Sequence, residues 1–205
     1  MKPLDIETFR KNCIACAVLD MLCEPEWEIR RFSYDPAWDD NEQMGSWRDG
    51  SGCQLFNVFH SECVFVKGIN PDSVYGGQSI ETGNVPPELL NKIQAEDMHF
   101  LEEPAFGKEC SFLFTASKKI SVPNDLDFPL DKGGLADVFK ILTEGIDAYL
   151  SDAEAYFERE LPFDLCKKIF SFERVTFADV KPLVGRRTWK TIEKELCEIG
   201  YSPND

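Results

Sequence analysis

The clearest pattern in the chain is a pair of dense apolar runs separated by two residues. Gln54–His60 and Cys63–Ile69 are apolar at both odd and even positions, which is typical of strands covered on both sides. Ser61 and Glu62 form a connection short enough for a hairpin. The sequence therefore predicts a buried antiparallel hairpin over residues 54–69.

Weaker patterns surround this hairpin. Residues 4–23 are apolar at the three- and four-residue spacing of one helix face, and Pro25 ends that pattern. Mixed alternation near 27–34 and an apolar run over 110–117 predict two further strands, and the polar residues after 34 predict a loop. The Gly- and Pro-rich segment 71–87 is longer than most structureless loops, a length typical of functional or mobile segments.

The C-terminal third has helical periodicity. A stripe from Leu135 predicts a helix that either continues to Glu160 or breaks at Ser151, where Ser151 and Glu154 have capping-box spacing. Three short helices follow at about 163–171, 177–184 and 188–199, with Thr176 and Thr188 as N-caps.

This order of elements predicts an α+β fold. A small antiparallel sheet, made of the hairpin 54–69 and the strands near 27–34 and 110–117, is covered by helices and followed by a C-terminal helical bundle. We interpret residues 1–130 as an α+β portion and 131–205 as a helical portion, packed together as one compact unit.

The net charge of the chain indicates which classes of partner it can bind. The 205 residues carry 22 basic and 37 acidic side chains, a net charge of −15, and an acidic surface attracts basic proteins while repelling nucleic acid and anionic membranes. No apolar run approaches the ~18 residues of a membrane span, and the N-terminus lacks the apolar stretch of a signal peptide. We therefore expect a cytoplasmic protein that does not bind a membrane.

Eight cysteines raise the question of disulfides and metals. Most of them lie within apolar patterns, where a free cysteine behaves as a small buried hydrophobe. Cys13, Cys16 and Cys23 have only a superficial resemblance to metal-ligand spacing, because no second pair completes four ligands. We expect reduced thiols, no metal and no cofactor.

The glycine-rich stretch SWRDGSG, residues 46–52, precedes the hairpin. A phosphate-binding loop leads into a helix, whereas this one leads into a strand, so we interpret Gly50 and Gly52 as turn residues with positive φ. The guanidinium of Arg48 lies beside a buried strand and needs a partner. Glu102 and Glu103 of FLEEPAF are candidates. Polar residues near the hairpin form one candidate enzyme site: Arg48, Asp49, His60, Lys67, Glu102 and Glu103.

A second candidate site lies in segment 176–199, whose two short helices have the spacing of a helix-turn-helix. Its basic residues are Arg186, Arg187, Lys190 and Lys194. Glu193, Glu195 and Glu198 interrupt this patch, and the rest of the chain is acidic, so we interpret nucleic-acid binding as the alternative function.

Several motifs resemble those of a family of bacterial proteins of about this length whose function is not known. They are Trp38 with SWRDGSG, Lys67–Gly68, FLEEPAF at 100–106 and EIGY at 198–201. The resemblance covers nearly the whole chain and names no activity. This chain departs from the family after Lys67–Gly68, where it has Pro71-Asp72-Ser73 in place of His-Glu-Ser. A lost histidine favours a binding role over catalysis.

Three functions follow in order of support. The first is a non-enzymatic protein-interaction protein with an acidic surface, immunity-like or accessory by analogy alone. The second is a nucleic-acid-binding regulator that uses residues 176–199. The third is an enzyme with a site near Arg48, His60 and Lys67.

Overall fold

The computed structural model describes residues 3–72, 94–103, 110–120 and 135–202. Its centre is an antiparallel sheet of five strands in the order β2-β3-β4-β5-β6. The strands are β2 (Phe32–Asp39), β3 (Glu42–Arg48), β4 (Gln54–His60), β5 (Cys63–Ile69) and β6 (Phe112–Ser117). A separate two-stranded sheet pairs β1 (Leu4–Asp5) with β7 (Lys119–Ile120). The predicted α+β class is confirmed.

The predicted hairpin is found with its predicted bounds. β4 and β5 pair antiparallel, with His60 opposite Cys63 and Gln54 opposite Ile69. Ser61 adopts a positive φ of 50° to close the two-residue turn. Both faces of this hairpin are covered, which explains why neither strand shows a polar face in the sequence.

The polar segment after residue 34, predicted as a loop, is a second hairpin. Residues Trp27–Ile29, predicted as strand, form a turn of 3-10 helix instead, and β2 starts only at Phe32. β2 and β3 are joined through Asn41, which has a positive φ of 63°. Acidic side chains on the solvent side of these strands hide the period-2 signal, because only one face of the hairpin is buried against a helix.

Helix α1 (Ile6–Cys23) covers one face of the sheet. Asp5 caps its start by accepting a hydrogen bond from the Thr8 amide at 2.8 Å. Helix and sheet approach closely at Gly45, where a Cβ atom would lie 3.2 Å from Cys13 Cβ. α1 is buried almost all round because the C-terminal helices pack against its other side.

The C-terminal third contains five helices: α2 (Leu135–Glu144), α3 (Ile146–Phe157), α4 (Phe163–Phe170), α5 (Phe177–Val184) and α6 (Trp189–Glu198). The helix predicted from Leu135 neither continues to Glu160 nor breaks at Ser151, so both alternatives are wrong. Ser151 lies inside α3, and the chain breaks instead at Gly145, which has a positive φ of 78°. Glycine adopts that conformation without a steric penalty, so it interrupts the apolar stripe more readily than a serine.

Two hydrophobic clusters fill the interior. The larger one joins α1 and one sheet face to all five C-terminal helices, so both portions of the chain contribute to a common core. The smaller one lies on the other sheet face, where Val58, Phe65 and Leu113 pack under the 3-10 helix Ala95–Glu102. Most of segment 71–87 lies outside the described residues.

The start of α5 gives a pH-dependent prediction. Lys168 Nζ lies 2.7 Å from Asp179 Oδ1, and Thr176 and Asp179 form a capping box. The hydrogen bond from Lys168, followed by those from Thr176, lowers the pKa of Asp179 from 3.8 to about 2. Since the folded pKa lies below the unfolded one, this stabilisation is complete above about pH 4 and is lost as the pH falls through about 2.

An NMR titration of the Asp179 side-chain carboxyl carbon tests this cap. The wild type should give a pKa of about 2, and Lys168→Met should give a higher pKa because the charged donor is gone. The stability lost in that variant should be small, since solvent screens the pair. An ordinary aspartate pKa in the wild type would contradict the prediction.

Candidate protein interface

The glycine-rich loop is a structural turn. Asp49 accepts hydrogen bonds from the Ser51 and Cys53 amides and from the Ser51 hydroxyl. Burial alone would raise the pKa of Asp49, but these hydrogen bonds outweigh it and lower the pKa. Gly50 and Gly52 both have positive φ, as predicted. Every described contact of this carboxylate lies within its own loop.

Arg48 has partners that the sequence did not indicate. Its Nε donates to the Arg30 carbonyl at 3.1 Å and its Nη2 to the Trp27 carbonyl at 2.5 Å. Its guanidinium also lies 4.2 Å from the centroid of the Trp27 ring. The arginine therefore fixes the 3-10 turn Trp27–Ile29 to the end of β3.

The described residues of the candidate enzyme site do not all lie together. Arg48 pairs with Gln54 at one end of the β3–β4 ladder, whereas His60 pairs with Glu42 at the other. Lys67 is fully buried within β5. Glu103 follows the 3-10 helix Ala95–Glu102, and the side chain of Glu102 lies outside the described part of the structure. Spacing along two strands separates Arg48 from His60 by roughly 20 Å, at about 3.3 Å per residue.

Both histidines lie at the His60 end of the sheet. His60 Nε2 is 2.9 Å from Oδ1 of the buried Asp97, whose Oδ2 accepts a hydrogen bond from Thr115. His99 Nε2 lies 3.9 Å from Glu42 Oε1. Burial raises the pKa of Glu42, partly offset by the two histidines. These pairs fasten the 3-10 helix Ala95–Glu102 to the sheet.

Five of the eight cysteines are buried, and Cys197 is exposed. All eight are free thiols. Burial raises the pKa of Cys23 and Cys53 to about 11 and that of Cys110 and Cys166 to about 12, so these thiols stay protonated. Within the described ranges, no group of three or more His, Cys, Asp or Glu side chains is placed to hold a metal ion.

The basic residues of segment 176–199 divide into two kinds. Arg186, Lys190 and Lys194 are exposed. A DNA-binding helix-turn-helix would also need Arg187 exposed. In the structure Arg187 points inward, with only 15% of its side chain accessible, so this requirement is not met. Its guanidinium donates to the Met21 and Leu22 carbonyls, at 2.8 Å and 2.5 Å. These carbonyls are left free at the end of a helix, so the arginine acts as a cap for α1.

An exposed hydrophobic surface lies elsewhere, between the 3-10 turn and α3. In the part of the chain that the structure describes, four large hydrophobic residues are exposed, and three of them are Trp27 (55%), Ile29 (51%) and Tyr156 (43%). Tyr156 Oη donates to the Ile29 carbonyl at 3.0 Å, so the three residues are neighbours. We call Trp27, Ile29 and Tyr156 the aromatic patch. Clustered exposed hydrophobic residues are typical of interaction sites.

Arginines hold the rings of this patch in place. The Arg31 guanidinium lies 4.2 Å from the Tyr156 ring centroid, the same distance as Arg48 from Trp27. Arg31 is itself held by an ion pair with Asp152. Rings fixed in this way lose little conformational freedom when a partner binds, which is how binding hot spots reach high affinity.

A groove of about 430 Å³ adjoins the patch through Trp27. It lies between the edge strand β2 and the C-terminal end of α6. Its apolar lining comes from Trp27, Trp38, Met44 and Ile199, and its charged lining from Asp35, Glu195, Glu198 and Arg30. Arg30 is 10% exposed and binds Glu195 at 2.8 Å, and Lys194 binds Glu198 at 2.8 Å. The exposed Asp35 has no ion pair among the described residues, so it sets the sign of the charge at the surface.

Acidic residues also flank the patch itself. Glu26 and Glu28 precede and follow Trp27, and both are exposed. The sequence carried a signal for this surface in PEWEIR, since a tryptophan between two glutamates just after a proline is unusual in a buried strand. The prediction of a strand over 27–34 left this signal for an exposed surface unrecognised.

Comparison of the chain with protein-family models, with curated proteins and with solved structures finds no match. The described helices include none with both the length and the apolar character of a membrane span.

Proposed function

We propose that this protein is a non-enzymatic, cytoplasmic interaction protein that binds a basic segment of another protein through the aromatic patch. The observation that carries the proposal is the exposure of Trp27, Ile29 and Tyr156 side by side on a chain of net charge −15. Trp and Tyr are over-represented among residues that contribute most to binding energy.

Charge complementarity selects the partner. Glu26 and Glu28 beside Trp27 form an acidic rim around an apolar centre, which is the usual anatomy of an interface. A basic partner would be steered toward this rim, and its association should slow at high salt. Nucleic acid is disfavoured, because its phosphates would be repelled by the same rim.

Truncation of the patch is the direct test. Trp27→Ala should weaken binding of the natural partner by about 2 kcal/mol, roughly 30-fold in Kd. The partner is first captured from a lysate of the native host, then purified and titrated calorimetrically against the wild type and the variant. Capture of a partner alone does not support the proposal. The difference in Kd between the wild type and Trp27→Ala tests it.

The chain offers a matched control in Phe163, whose exposure of 52% is close to that of Trp27. Phe163→Ala removes a similar apolar area from α4 and should leave the Kd unchanged. Thermal unfolding of both variants checks that neither loses the fold. Equal weakening by Trp27→Ala and Phe163→Ala, or by neither, would count against the aromatic patch.

A further inference from the structure

The groove next to Trp27 combines two features that suit an organic cation. Two tryptophans line it, and indole rings attract cations more strongly than other aromatic side chains. Of its three carboxylates, Glu195 is paired with Arg30 and Glu198 with Lys194, which leaves the exposed Asp35 as the carboxylate available to a cation. Arg30 is also engaged by the Glu24 and Pro25 carbonyls. A cation entering the groove would therefore meet a negative site with aromatic walls.

Trp27 already binds one cation. Arg48 lies 4.2 Å from the ring centroid, yet the residue remains 55% exposed, so the indole has surface left for a second cation. Met44 and Ile199 supply apolar lining for an aliphatic stem, as long basic side chains require. The volume of about 430 Å³ lies within the range of about 300–1,000 Å³ that is common for ligand sites.

We propose that this groove binds a lysine or arginine side chain of the partner, with Trp27 and Trp38 contacting the cation and Asp35 providing the charge. The inference rests on the proposed function and deepens it, because it identifies the part of the basic segment that is recognised. Asp35 is suited to this role, since it is exposed and its only described hydrogen bond comes from the Ala37 amide at 2.9 Å.

Fluorine NMR of protein labelled with 5-fluorotryptophan provides the test, with a short peptide of alternating lysine and glycine as the probe. The four tryptophans give separate signals that Trp→Phe variants assign. We expect the Trp27 and Trp38 signals to shift on titration. Trp47, which is buried, and Trp189, which lines another groove, should not move. The same peptide with glutamine in place of lysine should shift none.

Matched variants separate the groove from general attraction to an acidic protein. Asp35→Asn keeps the acceptor for the Ala37 amide and removes one charge, and it should weaken peptide binding about threefold. Asp164→Asn removes one charge from a different groove, which both carboxylates and lysines line, and should have no effect. Trp38→Phe, which preserves apolar bulk, should also weaken binding.

The outcomes distinguish the two proposals. Binding that is weakened by Trp27→Ala but unaffected by Asp35→Asn and Trp38→Phe would overturn the groove inference and leave the aromatic patch standing. Binding that is insensitive to Trp27→Ala as well would overturn both. Equal losses in Asp35→Asn and Asp164→Asn, or an equal shift of Trp189, would mean diffuse attraction and would also overturn the inference.

Discussion

Asp20→Ala should lower the free energy of unfolding by about 3–5 kcal/mol, the usual cost of removing one partner from a buried ion pair. Asp20 is inaccessible to solvent. Its Oδ2 accepts hydrogen bonds from the Arg31 and Phe32 amides, and its Oδ1 accepts one from the Tyr149 hydroxyl at 2.8 Å. Alanine would leave all three donors without their acceptor and would leave the Arg31 charge with Asp152 alone.

The position of Asp20 explains why the effect should be large. It joins α1 to the start of β2, which follows soon after in sequence, and to α3, which is more than a hundred residues away. Burial raises the pKa of Asp20, although Arg31 and the hydrogen bonds partly offset this. Burying this carboxylate therefore costs free energy, which is offset because it accepts hydrogen bonds from several buried donors at one point.

Urea denaturation of the wild type and three variants measures this effect. Tyr149→Phe removes a single hydrogen bond and should cost about 1 kcal/mol. Asp152→Ala should cost less than Asp20→Ala, because the Asp152 side chain is 39% exposed. If Asp20→Ala does not fold, Asp20→Asn provides the measurement. A loss below that of Tyr149→Phe would contradict the role assigned to Asp20.

The sequence predicted those elements whose signal is local. The β4–β5 hairpin was found with its bounds because its strands are apolar throughout and its connection is short. The last two helices were found because Thr176 and Thr188 are true N-caps. The β2–β3 hairpin was missed, since four acidic residues between 35 and 42 dominate its composition.

Apart from the local signal in PEWEIR, the site depends on residues that are far apart in the sequence. Arg31 meets Asp152 and Arg187 meets Met21 across more than a hundred residues of chain, and no spacing rule anticipates such pairs. His60 was noticed as a lone polar residue, but its partner Asp97 lies on a different element. The aromatic patch exists only because α3 brings Tyr156 to the 3-10 turn.

Arg187→Ala should lower the free energy of unfolding by about 1–3 kcal/mol, the cost of leaving buried acceptors without a donor. Arg187 donates to two carbonyls at the C-terminal end of α1 and lies 3.4 Å from Glu195. A cation at this end of a helix also interacts favourably with the helix dipole. The variant should unfold at a lower urea concentration with little change in the slope of the transition.

The adjacent Arg186 provides a control that distinguishes helix capping from nucleic-acid binding. Arg186 is exposed, so Arg186→Ala should change stability by no more than about 0.5 kcal/mol. A nucleic-acid-binding segment would show the reverse sensitivity, with both arginines affecting duplex DNA affinity and neither affecting the fold. We expect no DNA binding tighter than about 100 μM in low salt for the wild type or either variant. Micromolar DNA binding that Arg187→Ala abolishes without loss of stability would contradict the capping role and restore the regulator. A guanidinium that is only 15% exposed and engaged by the helix carbonyls is not presented to a phosphate.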